Sequence, residues 1–219
     1  MNPQLVILSS PSGGGKTTIA RTLLASRDDV GYSISATTRA PRLTERDGVD
    51  YYFLTPEAFE ARVAVGEFLE WAEYSGERYG TLAAEVDRIL GQGQHVILDI
   101  EVQGAAQIRQ RRNDVVSIFV LPPSAQDLVE RLSRRGAETS SEVARRLEQA
   151  DAELAQAEAY DYVVVNDELE RAVRAVGAII DGKGKRRSLQ KDLHKMVNRL
   201  RTDLRAARES LNNSTESKE

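Results

Sequence analysis

The sequence of 219 residues contains no cysteine and only two histidines. Without cysteine, neither a disulfide framework nor a cysteine-based metal site is possible, and the redox compartment is left open. His95 opens an apolar run and is interpreted as a strand-edge residue, whereas His194 lies in a charged segment. The two histidines are far apart in the sequence, and neither needs a catalytic role.

Long hydrophobic runs and a strong net charge are also absent. No stretch approaches the roughly 18–20 apolar residues of a membrane span, and the first residues show no signal-peptide pattern. The net charge of −4, from 34 acidic and 30 basic residues, creates no field that would attract nucleic acid or an anionic membrane. We therefore expect a cytoplasmic protein that binds neither and holds any polyanion through local basic groups.

A glycine-rich segment at residues 9–18, S-S-P-S-G-G-G-K-T-T, stands between an apolar run and a helical pattern. Strand, glycine-rich turn and helix in this order are typical of a phosphate-binding loop. Three glycines without a Cβ let backbone N–H groups converge on phosphate oxygens, and the positive end of the helix points to the same place. Lys16 adds a charge for the β- and γ-phosphates, and the Thr17 hydroxyl suits a Mg²⁺ shell.

The match to the full pattern G-x-x-x-x-G-K-[ST] is incomplete, because Ser10 occupies the first glycine position. The alternative is a glycine-rich turn before a helix that happens to contain a lysine. We favour the phosphate loop because strand, glycines, lysine and threonine stand in the required order.

Apolar strands alternate with helical patterns over much of the chain. Strands are predicted at 4–10, 95–100, 115–121 and 162–165, and helices at 16–26, 82–90, 103–112, 124 onward, 140–160 and 168–180. This alternation, with 41% hydrophobic residues, predicts an α/β fold with a parallel sheet and a sizeable core.

The segment from Tyr32 to about Tyr79 breaks the alternation and indicates a small inserted lobe. Within it we predict short strands at 32–36 and 50–54, a polar loop at 37–48, a helix from Pro56 to about Val65 capped by Thr55, a mixed segment at 68–74 and a turn at 76–80.

Charged side chains outside the glycine-rich segment suggest further contacts with phosphate or metal. Asp99 ends a predicted strand, where an acid can reach Mg²⁺ or cap a helix. Arg39 and Arg42 flank a proline and can both face one phosphate, although surface arginines are commonly only solvated. A second basic set could serve a mobile flap or form a charged helix face: Arg131, Arg134, Arg135, Arg145 and Arg146.

Apolar residues recur every three or four positions in the C-terminal segment from Lys183: Leu189, Leu193, Met196, Leu200, Leu204, Ala207 and Leu211. The pattern indicates a short helix that packs on the body of the protein or on a partner, or else a solvated, partly frayed helix. Residues 212–219 are polar and are expected to be disordered.

Several blocks of the chain, spread from Leu5 to Ile180, resemble guanylate kinase and follow that family's order. They are 10–17, 35–42, 48–52, 79–81, 98–104 and 165–167. Two departures stand out: the phosphate loop has Ser10 and Thr17-Thr18, and Glu101 stands where aspartate is usual.

The resemblance implies an α/β fold with a P-loop parallel-sheet core, helices on both faces, an inserted small mixed nucleotide-monophosphate-binding lobe and a helical lid. The implied guanylate kinase-like domain spans 1–182. Its core lies at 1–31, 84–123 and 158–182, its GMP-binding lobe at 32–83 and its lid at 124–157. A basic helical extension with a polar tail follows at 183–219.

The activity implied by the resemblance is transfer of the γ-phosphoryl group of ATP to GMP, and also dGMP, giving GDP and ADP by Mg²⁺-assisted in-line transfer in a closed cleft. The implied catalytic residues are Lys16, Arg39, Arg42, Arg135 and Arg146. The implied ATP site is Ser12, Gly13, Gly14, Gly15, Lys16, Thr17, Thr18, Arg131 and Asn166. The implied GMP site is Ser35, Arg39, Arg42, Tyr51, Glu70, Tyr79, Thr81, Asp99 and Glu101. Thr17 and Asp99, the latter directly or through water, would hold the metal.

The chemistry of guanine fits this assignment. Guanine presents two adjacent donors, N1–H and the N2 amino group, and a carboxylate such as Glu70 can accept from both, whereas adenine has no such pair. One rival is a kinase of another nucleotide or small acceptor with the same core. The other is a non-enzymatic module that binds phosphorylated peptides, and such a module would have no need of Lys16. The expected partners are ATP and GMP. The chain could be a monomer or a homo-oligomer with the C-terminal helix as a contact.

Overall fold

The structure is a computed structural model that describes residues 2–74, 76–133, 140–184 and 192–216. Its strands are β1 (Leu5–Ser9), β2 (Val30–Tyr32), β3 (Ser35–Thr37), β4 (Tyr52–Phe53), β5 (Phe68–Tyr74), β6 (Glu77–Leu82), β7 (His95–Asp99), β8 (Val115–Leu121) and β9 (Tyr162–Val165). Its helices are α1 (Lys16–Ser26), α2 (Pro56–Ala64), α3 (Ala83–Gly91), α4 (Val102–Arg111), α5 (Ala125–Ser133), α6 (Ser140–Leu154), α7 (Leu169–Ile180) and α8 (Leu193–Glu216). A short 3₁₀ helix lies at Ala157–Ala159.

The strands form two sheets. One has five strands in the order β2-β7-β1-β8-β9, in which β2 runs parallel to β7 and β8 parallel to β9. The other is a mixed sheet of four strands in the order β4-β3-β6-β5, with β3 parallel to β4 and antiparallel to β6, and β5 antiparallel to β6. The predicted α/β fold with a parallel core sheet and a small mixed sheet is confirmed.

The chain divides into two compact units, and the first comprises residues 1–7 and 24–116. It holds the mixed sheet, whose apolar side packs on α2. Ala36, Phe59, Phe68 and Leu82 form a buried cluster there, in which the rings of Phe59 and Phe68 stack with centroids 4.4 Å apart. This small core supports the strands that carry one half of the candidate site.

The second unit comprises residues 8–23 and 117–219. Helix α8 packs in it against α5 and α6 and buries Leu193, Val197, Leu200 and Leu204. Met196, which the apolar pattern placed on the buried stripe, is 42% exposed, because Val197 and not Met196 lies on the buried face of the helix. Within the described ranges, no helix combines the length and hydropathy that crossing a bilayer requires.

Most predicted elements are confirmed, and two helix starts show why. The Thr55 hydroxyl accepts from the Ala58 N–H at 3.2 Å and caps α2, with Pro56 in the first turn. The Ser124 hydroxyl accepts from the Asp127 N–H at 3.1 Å and caps α5. These signals act within four residues, so the sequence displays them directly.

Two predictions in the inserted lobe are wrong. The single strand expected at 32–36 is two strands in different sheets, since β2 pairs with β7 while β3 pairs with β4 and β6. The turn expected at 76–80 lies largely within strand β6. Gly80 serves close packing there, because a Cβ at this position would lie 2.7 Å from Cδ1 of Phe68.

Two predictions in the C-terminal half also need correction. The long helix expected at 140–160 ends at Leu154 and is followed by the separate 3₁₀ turn. Helix α8 continues to Glu216, through residues that we expected to be disordered. Residues three and four apart on a helix are neighbours, so a polar segment that follows a docked amphipathic helix can extend it.

Candidate functional site

The glycine-rich segment forms a loop between β1 and α1 in the second unit. Gly13 and Gly15 adopt φ values of +80° and +94°, which residues with a Cβ rarely adopt, and the Gly14 N–H donates to the Pro11 carbonyl at 2.8 Å. Lys16 begins α1 and is partly buried, whereas the neighbouring Thr17 and Thr18 are exposed. The predicted strand, turn and helix are therefore confirmed, with the helix N-terminus directly after the loop.

Asn166, at the end of β9, lies against this loop. Its side-chain Nδ2 donates to the Gly14 carbonyl at 2.9 Å, and Nη2 of Arg131 donates to the Asn166 carbonyl at 3.3 Å. A Cβ on Gly15 would collide with the Asn166 amide, so this contact as well as the backbone angle requires glycine. Arg131 and Asn166, both predicted to bind ATP, thus lie at the phosphate loop. The hydrogen bond from Asn166 to the loop backbone was not predicted from the sequence.

Helix α6 reaches the same loop at Ser12. Nη2 of Arg146 donates to the Ser12 hydroxyl at 3.2 Å, and the Ser12 N–H donates to Oε2 of Glu153 at 2.8 Å. Glu153 is only 5% exposed and also accepts from the Gln149 amide at 3.2 Å. Arg146 therefore lies at the phosphate loop. Glu153 is a charged neighbour that the sequence did not single out, because nothing local distinguishes it from other glutamates of an amphipathic helix.

Arg135, the remaining predicted ATP-side arginine, lies outside the described residues, as does Arg134.

Arg39 stands at the centre of a polar cluster in the first unit. Its Nη2 lies 2.9 Å from both carboxylate oxygens of Glu45, and its guanidinium carbon lies 5.5 Å from the centroid of the Tyr51 ring. The rings of Tyr51 and Tyr79 meet edge to face at 6.2 Å. A guanidinium that already donates to both oxygens of one carboxylate has the charge and the donors to bind phosphate oxygens as well.

Glu45 was not among the predicted residues. Its carboxylate accepts from the Arg42 N–H at 2.8 Å as well as from Arg39, and these contacts lower the pKa of the Glu45 carboxyl. The Arg42 side chain itself is exposed. A carboxylate three residues after Arg42 was the available signal, and it becomes informative only once the loop folds back.

Glu70 lies on β5 directly opposite Thr81 on β6. The Thr81 hydroxyl donates to Oε1 of Glu70 at 2.6 Å, and Glu70 is 7% exposed. Burial raises the pKa of the Glu70 carboxyl and the nearby Glu101 charge raises it further, while the Thr81 hydrogen bond opposes both. The carboxylate also lines a pocket, so a ligand that brings its own donors could reach it.

A pocket of about 430 Å³ in the first unit brings predicted GMP-site residues together. Its lining includes Ser35, Tyr51, Glu70, Tyr79, Asp99 and Glu101. Three of these are carboxylates and two are phenols, so the pocket offers acceptors for a donor-rich base beside ring hydroxyls that can donate to an anion. Thr81 joins through its hydrogen bond to Glu70.

The residues predicted to hold a metal are Thr17, with an exposed hydroxyl at the start of α1, and Asp99, with a carboxylate at the end of β7. Among the described residues, no group of three or more His, Cys, Asp or Glu side chains could hold a metal ion. One hydroxyl and one carboxylate suit an ion that keeps most of its shell in water and phosphate oxygens, as Mg²⁺ does. Each of the two side chains, taken by itself, is therefore a ligand type that Mg²⁺ accepts.

Comparison with known proteins gives one family. The sequence model described as guanylate kinase matches residues 2–199. A guanylate kinase of Symbiobacterium thermophilum is 49% identical over 176 residues, which cover 80% of this chain and 83% of that protein. One of Clostridium perfringens is 46% identical over 176 residues, covering 80% and 82%. The crystal structure of guanylate kinase from Anaplasma phagocytophilum matches with a TM-score of 0.64 at 32% identity, covering 88% of this chain and 94% of that one.

Proposed function

This chain belongs to the guanylate kinase family, whose members phosphorylate GMP at the expense of ATP, and we propose how its residues divide that reaction. The observation that carries the proposal is the Glu70 carboxylate, buried against Thr81 in a pocket that Tyr51 and Tyr79 also line. This lining matches a nucleotide whose base carries two adjacent hydrogen-bond donors and whose other end is a phosphate.

ATP is assigned to the phosphate loop. The Lys16 ammonium and the backbone N–H groups of the loop bind the β- and γ-phosphates, except those of Ser12 and Gly14, which donate to Glu153 and Pro11. The positive end of α1 lies behind them. Arg131 and Arg146, whose contacts with Asn166 and Ser12 place them at the loop, neutralise charge that develops on the transferred group. Arg135 is assigned the same task from its sequence position.

GMP is assigned to the pocket of the first unit. Arg39, Arg42, Tyr51 and Tyr79 bind its phosphate, and the base edge meets four side chains: Ser35, Glu70, Thr81 and Glu101. The attacking phosphate oxygen of GMP is already anionic, so no general base is needed. Catalysis is then alignment of donor and acceptor in line, together with charge neutralisation and exclusion of water by closure.

Mg²⁺ is the metal proposed, with Thr17 and Asp99 as its protein ligands, directly or through water. When bound, the ion would supply positive charge that offsets the negative charge of the phosphates. The two side chains leave most of its shell to phosphate and water, which is the usual arrangement for nucleotide-bound Mg²⁺.

The proposal extends to domain organisation, location and a second substrate. The mixed sheet at 35–82 supports a GMP-binding lobe at 32–83. The other parts are a core at 1–31, 84–123 and 158–182, a lid at 124–157 and an extension at 183–219.

None of the assigned contacts involves the ribose 2′-hydroxyl, so dGMP should also be phosphorylated. We assign the protein to the cytoplasm, where ATP and GMP occur, as a monomer or homo-oligomer.

The variant Glu70→Gln tests the assignment of the guanine edge. It keeps the shape of the side chain but replaces one acceptor oxygen with a donor, so KM for GMP should rise by about 10- to 100-fold, the range of a lost hydrogen bond to a charged group. KM for ATP should not change. The measurement is a coupled ADP-release assay with each of the nucleoside monophosphates.

Glu67→Gln is the matched control, because Glu67 lies in the same lobe but is exposed and pairs only at 3.3 Å with Arg62. Unchanged use of GMP by the Glu70 variant would show that this carboxylate does not read guanine. Wild-type turnover of AMP or UMP, but not of GMP, would overturn the substrate assignment itself.

A further inference from the structure

The strand that carries Glu70 contains an irregularity at the functional position. Phe68 pairs with Leu82 and Glu70 pairs with Thr81, so Leu69 is an extra residue in the ladder between β5 and β6. Residues two apart on a regular strand face the same side. Because of the bulge, Phe68 packs in the apolar cluster while Glu70 points to the opposite face and lines the pocket.

Helix α4 holds this bulge from outside the sheet. Nη1 of Arg111 donates to the carbonyl of Phe68 and, at 3.3 Å, to that of Leu69. These two carbonyls flank the unpaired position of the ladder. The guanidinium therefore occupies both acceptors where the strand is irregular.

The next residue after Glu70 is held by the same helix. Strand β5 is the last strand of the mixed sheet, so no strand among the described residues pairs with its outer edge. Gln107 takes that place at Trp71: its Oε1 accepts from the Trp71 N–H at 3.1 Å and its Nε2 donates to the Trp71 carbonyl at 2.9 Å. One amide side chain therefore satisfies both backbone groups of Trp71 and links strand β5 to α4.

Gly104, three residues before Gln107 on the same face of the helix, lies beneath the Glu70 side chain. A Cβ at this position would be 2.7 Å from Oε2 of Glu70, closer than Cβ atoms approach other atoms, and 3.2 Å from its Cδ, which is a tight contact. The carboxylate cannot swing aside freely, because Oε1 is held at 2.6 Å by the Thr81 hydroxyl and the group is buried. Any side chain at 104 would therefore displace the acceptor.

We propose that α4 sets guanine selectivity by fixing the bulged segment 68–71, with Gly104, Gln107 and Arg111 as positioning residues that aim the Glu70 carboxylate. The inference rests on the proposed role of Glu70 in guanine recognition. It adds that the position of the Glu70 carboxylate is determined by α4, two residues of which, Gln103 and Gly104, also line the pocket.

The central experiment is a double-mutant cycle between Gly104→Ala and Glu70→Ala. GMP affinity is measured by calorimetry, and kcat/KM is compared between GMP and IMP, which lacks the N2 amino group. Gly104→Ala alone should weaken GMP binding about ten-fold, which corresponds to ~1.4 kcal/mol. It should lower the preference for GMP over IMP and leave KM for ATP unchanged. In the Glu70→Ala background the added methyl group meets no carboxylate, so no further loss is expected.

Gly91→Ala is the control for the added methyl group, since a Cβ at Gly91, the last residue of α3, would meet nothing within 4 Å. A second pair keeps the test independent of whether Gly104→Ala folds. Gln107→Ala leaves both Trp71 backbone groups unpaired and should reduce the GMP preference, whereas Gln110→Ala removes an exposed glutamine of the same helix and should not.

Three results would contradict the proposal in distinguishable ways. A loss in Gly104→Ala that persists at equal size in the Glu70→Ala background would show that Gly104 does not act through Glu70. An equal preference for GMP over IMP in the Gln107 and Gln110 variants would show that α4 does not determine the position of the Glu70 carboxylate. If Glu70→Gln alone left GMP binding unchanged, the role of Glu70 itself would be wrong, and the positioning role would fall with it.

Discussion

At the residue scale, the proposed contact with guanine requires the Glu70 carboxyl group to be ionised, whereas its burial disfavours the ionised form. Burial raises its pKa above the ordinary value of 4.5, and the Glu101 charge raises it further. Only the ionised form accepts from both guanine donors. GMP binding should therefore weaken as the pH falls through the raised pKa, at a higher pH than an ordinary glutamate would titrate.

The variant Glu101→Gln isolates the contribution of the second carboxylate to this pH dependence. Removing a like charge lowers the pKa of Glu70, so the acid side of the GMP-affinity profile should move to lower pH. Below the pKa the affinity falls about ten-fold per pH unit in either protein. Calorimetric titrations of GMP between pH 4 and 8, about the range where carboxyl groups and histidine titrate, measure the displacement.

The phosphate of GMP titrates identically with wild type and variant, so the difference between the two profiles belongs to the protein. Superimposable profiles would show that Glu101 does not act on Glu70 through its charge. A shift to higher pH would contradict the sign of the interaction.

At the element scale, α6 connects the phosphate loop with the C-terminal helix. Arg146 and Glu153 of α6 contact Ser12 in the phosphate loop. Asp151 of the same helix accepts from Nε of Arg201 at 2.8 Å and from Nη2 of Arg205 at 2.9 Å, both on α8. Helix α8 therefore contacts the helix whose Arg146 is proposed to act on ATP.

Asp151→Asn tests the strength of this contact. Burial alone would raise the pKa of Asp151, but the hydrogen bonds from Arg201 and Arg205 outweigh it and lower the pKa below 3.8. A lowered carboxyl pKa contributes stability at pH values above its unfolded value, and this contribution is lost as the pH falls through the folded pKa. At neutral pH the variant should lose about 1–2 kcal/mol of unfolding free energy, less than a fully buried pair.

Denaturant unfolding at neutral pH measures the change. Asp203→Asn is the matched control, because Asp203 is exposed on α8 and approaches Arg199 only at 3.9 Å; its effect should be close to zero. Equal stability of the two variants would show that the Asp151 contacts do not hold α8 to α6.

At the scale of the whole molecule, the two substrates are assigned to different compact units. Lys16 and the phosphate loop lie in the second unit, and Glu70 with its pocket lies in the first. A ligand that binds only the folded state stabilises it by about 2.7 kcal/mol at a concentration of 100 times Kd. Each substrate should therefore raise the melting temperature through its own unit.

Thermal shift with Lys16→Met and Glu70→Gln separates the two sites. The Lys16 variant should lose most of the shift given by a non-hydrolysable ATP analogue with Mg²⁺ and keep the shift given by GMP. The Glu70 variant should show the reverse. If either substitution abolished both shifts, the assignment of one substrate to each unit would be wrong.

The amino-acid sequence by itself determined the class of fold and the glycine-rich loop to which ATP is assigned. The strand β1, the glycines and Lys16 follow one another within twelve residues, and caps such as Thr55 act on their own helix. The blocks that resemble guanylate kinase are likewise short and contiguous. Such features depend on neighbours along the chain, so the order of residues suffices to predict them.

Only the tertiary structure decided which way the Glu70 side chain points and so placed it in the pocket assigned to GMP. The split of 32–36 into two sheets, the bulge at Leu69 and the contact of Gln107 with Trp71 each depend on partners about 10 to 70 positions away. The spacing of Phe68 and Glu70 would even predict that both face one side. A local pattern cannot reveal which strand or helix will lie beside it, and here that choice turns one carboxylate out of the core and into the pocket.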